Sequence, residues 1–343
     1  MLKRRCVCLY SGGLDSILAV KLIQEQGIDV ISICFCSPLF GFDALRDPES
    51  YKIKQLEEFN INVHVVDFTD EILRIVKEPK YGFGRHMNPC IDCKIGMLIK
   101  AKGLMDTLDA SFIITGEILG QRPMSQRRDA MNVIEKQSGV KDLLLRPLCA
   151  LHMKETLPER MGIIDRQRLK DIAGRGRKVQ MEMAGIYEIK RDSIPTPAGG
   201  CLLADERIAH KIRDTYERSS PALPERYDIM MDVIGRKFIL DKDTVIVISR
   251  NEKENRTLST MRYPGNIFMK IMGVPGPLCI FRGNAKIDNL EMAAGICLRY
   301  SKGKARQGLK AVYGDDPERL DKMVKAPVLE EDICKSFQID LKD

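Results

Sequence analysis

No stretch of this sequence is apolar for long enough to cross a bilayer, which takes about 20 consecutive apolar residues. Met1-Leu2-Lys3-Arg4-Arg5 is basic but leads straight into a short strand-like segment, without the longer apolar core and cleavage site of a signal peptide. A cytoplasmic protein is therefore expected. No low-complexity run and no repeat period is visible, so a solenoid is excluded. The cysteines are odd in number, 11, and scattered, which argues against a disulfide framework. They point instead to buried thiols plus a few that bind metal or do chemistry. The histidines show no ligand spacing, and His152 and His210 read as structural.

What is present is ordinary globular material. With 343 residues, 44% of them hydrophobic, the chain is long enough for two domains, each with its own core. The net charge of +7 fits a polyanionic partner, mildly.

Residues Arg5 to Tyr10 read as a strand, and Ile17 to Gln26 as a helix stopped at Gly27. Further strands are expected at Val30 to Cys36, Asn62 to Asp67 and Ser111 to Thr115, with a helix at Tyr51 to Phe59. Apolar strands alternating with helices predict an α/β fold, a doubly wound parallel sheet whose ligand sits at the carboxyl end of the first strand. Ser219-Ser220-Pro221-Ala222-Leu223-Pro224 reads as a linker. Beyond it, Lys237 to Leu240 and Thr244 to Ser249 look like a hairpin, and Phe268 to Val274 and Leu278 to Phe281 like further strands. A second, smaller α+β domain is expected there.

Between the first strand and helix stands Ser11-Gly12-Gly13-Leu14-Asp15-Ser16. Adjacent glycines permit a tight turn and leave backbone N–H groups uncovered, and the helix points its positive end at the same spot. Ser11 and Ser16 add hydroxyl donors. Asp15 suits an anion site only if Mg²⁺ bridges carboxylate and phosphates. No Gly-Lys-Ser/Thr follows, so this is not a Walker loop. The pattern resembles the PP-loop of the ATP pyrophosphatase superfamily. That resemblance implies cleavage of ATP between its α and β phosphates, with AMP passed to a substrate oxygen.

Asn88-Pro89-Cys90-Ile91-Asp92-Cys93-Lys94 contains a CxxC that sets two thiols within reach of one metal or cluster. If Cys93 opens the following helix, the helix dipole lowers its thiol pKa. Cys201, in Pro197-Ala198-Gly199-Gly200-Cys201, is a third candidate. Three cysteines suit a [4Fe–4S] cluster with one iron open to sulfur. Persulfide and disulfide chemistry without metal is the second reading. Zinc lacks a clear fourth ligand, and buried structural thiols are the plain alternative. Cys6, Cys8, Cys34 and Cys36 read as strand core, with a minority chance that Cys36 lines the pocket. Cys149, Cys279, Cys297 and Cys334 read as core.

Thr115-Gly116-Glu117-Ile118-Leu119-Gly120-Gln121, the later Ser125-Gln126, Leu145-Arg146-Pro147-Leu148 and Lys154-Glu155 follow in that order. Together with the Cys-x-x-Cys-Lys segment they resemble the PP-loop domain of the tRNA 4-thiouridine synthase family, over roughly residues 5 to 205. The Asn-Pro-Cys-x-x-Cys start also looks like tRNA 2-thiouridylases. By that resemblance Cys201 matches the family's second active cysteine, and Cys93 the cysteine of the Asn-Pro segment. Cys90 stands where some thiouridylases have aspartate, which favours the cluster-bearing type. The resemblance implies an ATP-dependent RNA sulfurtransferase that adenylates a uridine carbonyl oxygen, in tRNA, and replaces it with sulfur. Asp15, Cys93 and Cys201 are then catalytic. Ser11 to Ser16, Thr115, Gly116, Glu117, Arg146 and Lys154 bind ATP, with Glu117 orienting Mg²⁺ or a ribose hydroxyl. Cys90, Cys93 and Cys201 are the metal ligands. Arg146 and Lys154 are suited to neutralise phosphate charge.

In departure from that family, the sequence starts directly at the PP-loop strand, and no rhodanese cysteine loop is found. The tail after Pro224 resembles an NFACT-type RNA-binding domain, through Gly235-Arg236-Lys237 and Arg250-Asn251-Glu252-Lys253-Glu254-Asn255; a dimerisation or capping domain is the alternative. The expected division is residues 1–180 for ATP binding and thiolation, 181–218 as a connection carrying Cys201, and 219–343 for the α+β domain. Expected partners are tRNA and a sulfur donor such as sulfide or a cysteine desulfurase. No membrane is expected, and a homodimer is allowed. Two other functions stay open: a PP-loop enzyme acting on a small molecule by amidation or thiolation, and an RNA-binding or sulfur-carrier module without catalysis.

Overall fold

Cys6-Val7-Cys8-Leu9 has no polar face, and accordingly it lies in the middle of a sheet. In the computed structural model, which describes residues 3–194 and 200–339, β1 (Arg5–Leu9) pairs in parallel with β2 (Asp29–Cys36) on one side and β4 (Phe112–Thr115) on the other. β3 (Val63–Asp67) flanks β2 and the two-residue β5 (Leu144–Leu145) flanks β4, giving the order β3-β2-β1-β4-β5, all parallel. The order reverses between β1 and β4, so the crevice for a ligand opens beyond their carboxyl ends.

Helices cover the sheet. They are α1 (Leu14–Gln24), α2 (Phe42–Arg46), α3 (Pro48–Phe59), α4 (Thr69–Lys77), α5 (Cys90–Met105), α6 (Arg128–Ser138), α7 (Leu157–Arg160) and α8 (Lys178–Ile186). Ile17, Val20 and Ile23 are spaced as an apolar stripe along α1, with Lys21 and Gln24 beside it. Yet Leu14, Ile17, Leu18, Ala19, Val20, Leu22 and Ile23 are all buried, as in a helix with structure on nearly every side. Their core includes Cys6, Cys8, Cys34 and Cys36. The Cys36 thiol donates to the Val66 carbonyl at 3.5 Å and Cys36 is fully buried, so it does not line the pocket.

Contacts divide the chain into Met1–Ala204 and Asp205–Asp343. Cys201 thus belongs to the first unit. The Ser219–Pro224 stretch joins two helices of the second, α9 (Glu206–Ser219) and α10 (Arg226–Val233). The remaining elements are β6 (Arg236–Ile239), β7 (Val245–Ile248), α11 (Glu252–Ser259), β8 (Asn266–Ile271), β9 (Cys279–Arg282), α12 (Ile287–Arg299), β10 (Lys310–Gly314), β11 (Lys322–Lys325) and α13 (Glu331–Phe337). The six strands form an antiparallel sheet in the order β11-β10-β8-β9-β7-β6. α12 buries Leu290, Ala293, Ala294 and Ile296 in one core with Phe238, Ile246, Met269, Phe281, Ala311 and Val324 of the sheet, and with Cys279, Cys297 and Cys334.

Lys237 of β6 is only 3% exposed. Its ammonium donates to Asp232 of α10 at 2.7 Å and to Thr215 of α9 at 2.6 Å. It is a structural clasp, and of the residues that suggested RNA binding this one does not face solvent. Among the described residues no helix is long and apolar enough to cross a membrane.

Candidate active site

The loop between β1 and α1 is held by its own serines. The Ser16 hydroxyl donates to the Gly13 carbonyl at 2.7 Å and stands 3.3 Å from the Ser11 hydroxyl. Gly12 has φ +71°, a left-handed conformation that glycine takes without cost, and a Cβ there would lie 2.7 Å from the Tyr51 hydroxyl. No side chain caps the start of α1 at Gly13, so its amino end is turned to the crevice without a protein acceptor from a cap.

The second wall comes from β4. Thr115 ends the strand, and a Cβ on Gly116 would lie 2.5 Å from the Asp15 carbonyl and the Ser16 amide nitrogen. Only glycine lets this chain pass the first turn of α1. Next, Glu117 is 4% exposed and accepts from Thr115 at 3.0 Å and from Arg146 at 3.1 Å; Lys94 lies 3.7 Å away. Arg146 also pairs with Glu135. Burial pushes the Glu117 carboxyl up, but Lys94 and Arg146 outweigh it and hold it below its ordinary value. Burial lowers Arg146, and Glu117 and Glu135 more than restore it.

Arg146, read as a phosphate ligand, is therefore 3% exposed and engaged by two carboxylates, with only its Nη2 lacking a partner. Lys154 is exposed and makes no ion pair among the described residues, so nothing brings it to the loop. His152 contacts the Asp171 carbonyl through Nε2 at 2.6 Å, a structural link.

Asp15 is half-buried, and its Oδ1 has no hydrogen-bond partner. Burial raises its carboxyl, while Gln121, Arg177, Gln180 and Arg122 work against the rise. An orphaned acceptor beside an anion loop fits a magnesium ion bridging to phosphate. Arg177 and Gln180 escaped the sequence reading. They arrive because Gly174 donates its N–H to the Leu119 carbonyl at 2.8 Å, which docks the lead-in to α8 beside Gly120. Gln180 is fully buried, and neither amide atom is bonded; the Arg177 Nε is orphaned too. The only sequence signal was a polar residue on the inner face of an otherwise apolar turn.

The CxxC helix begins at Cys90, not Cys93, because Pro89 sits at its N-cap. The Cys90 thiol donates to the Asn88 side chain at 2.9 Å. Cys201 is brought alongside by two backbone bonds: Leu202 to the Leu39 carbonyl at 2.9 Å, and Met87 to the Leu203 carbonyl at 3.2 Å. Burial raises the Cys93 thiol, and the neighbouring Cys201 and Cys90 raise it further. The dipole-lowered thiol expected at Cys93 is thus overturned: one turn inside the helix, desolvation dominates. Burial likewise raises Cys90, and lifts Cys201 to about 11. Three thiols that feel one another's charge are the donor chemistry of an iron–sulfur site. Even so, among the described residues no three ligating side chains meet at metal-holding spacing, and none of the eleven cysteines is in a disulfide. Residues 195–199, which include most of the glycine segment before Cys201, lie outside the described residues. The Cys149 thiol donates to the Glu117 carbonyl at 3.3 Å, making it a packing neighbour of the site.

Residues 2–163 match the family model described as thiamine biosynthesis protein (ThiI), and residues 235–338 match that of the NFACT protein RNA binding domain. Over residues 2–163, a little under half of the chain, the first unit is thus similar to the ThiI family. Over the ThiI-type segment the chain is 33% identical, across 162 residues, to a probable tRNA sulfurtransferase of Ureaplasma parvum serovar 3, covering 45% of this chain and 38% of that protein. A probable tRNA sulfurtransferase of Methanothermobacter thermautotrophicus is 28% identical over 164 residues, covering 47% and 41%. The chain thus spans about two fifths of the length of these relatives. Among solved structures, a 4-thiouridine synthetase–RNA complex with bound ATP is 23% identical, covers 58% of this chain and 45% of that one, and has a TM-score of 0.38.

Proposed function

We propose that this protein is an ATP-dependent RNA sulfurtransferase that adenylates a uridine carbonyl oxygen of tRNA and replaces that oxygen with sulfur. The observation that carries the proposal is the Ser11–Ser16 loop closed on itself by serine hydroxyls, with Gly116 packed against the first turn of α1 and the Asp15 Oδ1 left unbonded. This arrangement offers backbone N–H groups to phosphate oxygens and one carboxylate oxygen to a magnesium ion.

A carbonyl oxygen is a poor leaving group. When it attacks the α-phosphorus of ATP, pyrophosphate departs, and the oxygen leaves later as part of AMP once sulfur has attacked the same carbon. The loop holds the phosphates in line, and Asp15 would hold a magnesium ion, which would supply charge neutralisation there. Arg177 and Gln180, both beside Asp15, supply donors to a ligand that would satisfy them. Glu117 and Arg146 act by position: with Lys94 they tie the end of β4, the helix of Cys93 and the Leu145–Leu148 segment into one frame.

Cys90, Cys93 and Cys201 handle the sulfur. If they hold a [4Fe–4S] cluster, it supplies an iron with a coordination position open to sulfur. If they work without metal, one thiol takes the outer sulfur of a donor persulfide, such as that of a cysteine desulfurase, releasing the donor's thiol; the outer sulfur of the persulfide so formed then attacks the activated carbon as AMP leaves. A second thiol then attacks the sulfur still bonded to the enzyme, forming a Cys–Cys disulfide that an external thiol reductant must reopen. The protein is tested by supplying tRNA, ATP, magnesium and a reductant, with sulfide in one arm and a cysteine desulfurase with cysteine in the other, then digesting the tRNA. A new thionucleoside, lost in Cys201→Ala, is expected; unmodified tRNA from active, iron-replete and reduced preparations overturns the proposal.

A further inference from the structure

One corner of the second unit's sheet is open, and it is basic. Cross-strand partners in an antiparallel pair share a face. Val312 of β10 stands opposite Met323 of β11 and Lys270 of β8, while Lys310 stands opposite Lys325. On the other face Ala311, Val324 and Ile271 are buried against α12. The face with Lys270 is also covered toward β9 and β7, where Phe268, Ile280 and Val247 are fully buried. At β8, β10 and β11 the cover ends: Met323 is 58% exposed, and Lys270, Lys310 and Lys325 are exposed.

None of these lysines makes a salt bridge or side-chain hydrogen bond among the described residues. The loop leading into β10 adds Lys302, Lys304 and Arg306, exposed and likewise without ion pairs there. That loop is held beside the β8–β9 turn, since the Lys302 N–H donates to the Pro275 carbonyl at 2.9 Å and Gly303 packs against Val274. Asp321, just before the end of β11 away from Lys325, lies 4.0 Å from Arg319. Elsewhere in this unit several cations are paired, Arg218 with Asp214, Arg250 with Glu254, Arg262 with Glu318 and Arg299 with Glu331, while others such as Lys242 and Lys286 stand singly on separate elements.

We propose that this corner, Lys270, Lys310 and Lys325 with the basic loop beside them, is where the second unit docks the phosphate backbone of RNA. The inference rests on the reading of the protein as a tRNA-modifying enzyme and names the surface that holds that substrate. Cations spread over two ranks of a sheet, around exposed Met323 and part-exposed Val312, suit a run of phosphates with sugar between them. No aromatic side chain stands in these cross-strand rows to stack a base, so contact is to the backbone and indifferent to sequence.

The test uses the full chain and fluorescently labelled tRNA, with affinity followed by anisotropy against salt. The variant K270Q/K310Q/K325Q is compared with R213Q/K242Q/K286Q, which neutralises three exposed cations elsewhere in the same unit. Both should melt like the parent, since surface changes of this kind are nearly neutral. The first should bind about tenfold or more weakly, and its slope of log affinity against log salt should fall by about 2 to 3, one phosphate contact per lysine. The second should bind as the parent does. Equal weakening in both variants, or none in the first while the parent binds, overturns the surface and leaves the enzymatic reading standing. A parent that binds no tRNA overturns both.

Discussion

Asp15 and Gly116 carry most of the account at the scale of single residues. Asp15→Ala removes a loop carboxylate whose Oδ1 has no hydrogen-bond partner among the described residues. ATP turnover should drop by about a thousandfold or more with an unchanged melting temperature; turnover like the parent's would remove Asp15 from the site. Gly116→Ala puts a methyl group within 2.5 Å of the Asp15 and Ser16 backbone. The expected cost is about 1–3 kcal/mol of stability, together with loss of nucleotide binding by calorimetry, because the loop itself must move. The loop was legible because glycine and serine chemistry is local: six consecutive residues make the turn that they encode. The thiol of Cys93 was misread for the opposite reason. Its pKa depends on what buries it, and the partner segment that ends at Cys201 is about a hundred residues away in sequence.

Elements were legible where a run of one periodicity settles them. The strands at Arg5–Leu9, Asp29–Cys36 and Phe112–Thr115 and the β6–β7 hairpin stand within a residue or two of their expected ends. What periodicity does not show is the ion network joining elements. Glu117 looked like a ligand for magnesium or ribose, and Arg146 like a phosphate ligand; each is buried against the other. Glu117→Gln leaves Lys94 and Arg146 short of a counter-charge, and a loss of about 3–5 kcal/mol in chemical denaturation is expected. A smaller loss, with ATP binding abolished, would assign Glu117 to the ligand instead. In the second unit, α9, α10 and β6 meet at Lys237. Burial lifts the Asp232 carboxyl to about 6, Lys237 pulling the other way. The folded form therefore keeps a proton that an unfolded aspartate gives up near pH 4. Between about pH 4 and 6 the native state binds more protons than the unfolded one, so this group's contribution to stability falls as pH rises through that window and is flat above it. Denaturation of Asp232→Asn, which has no such proton to hold, should lack that fall; an identical pH profile would contradict it.

On the scale of the whole molecule, a segment similar to the ThiI family and a segment similar to the NFACT RNA binding domain stand in one chain. The first was legible from ordered motifs spread over some two hundred residues. In the second, the open corner was not, because its lysines come from three strands that only the sheet order brings together. The cluster form of the chemistry predicts about four irons per chain in anaerobically prepared protein, absent from Cys90→Ser. Iron-free protein that still thiolates tRNA would leave the persulfide form. Both forms need the same first event, breakage of the inner anhydride of ATP. The most direct test is to follow ATP labelled at its α-phosphate with the full chain, magnesium and tRNA. The account predicts labelled AMP and unlabelled pyrophosphate, formed in the presence of tRNA and lost in Asp15→Ala. Labelled ADP, or no cleavage at all under thiolating conditions, would contradict it.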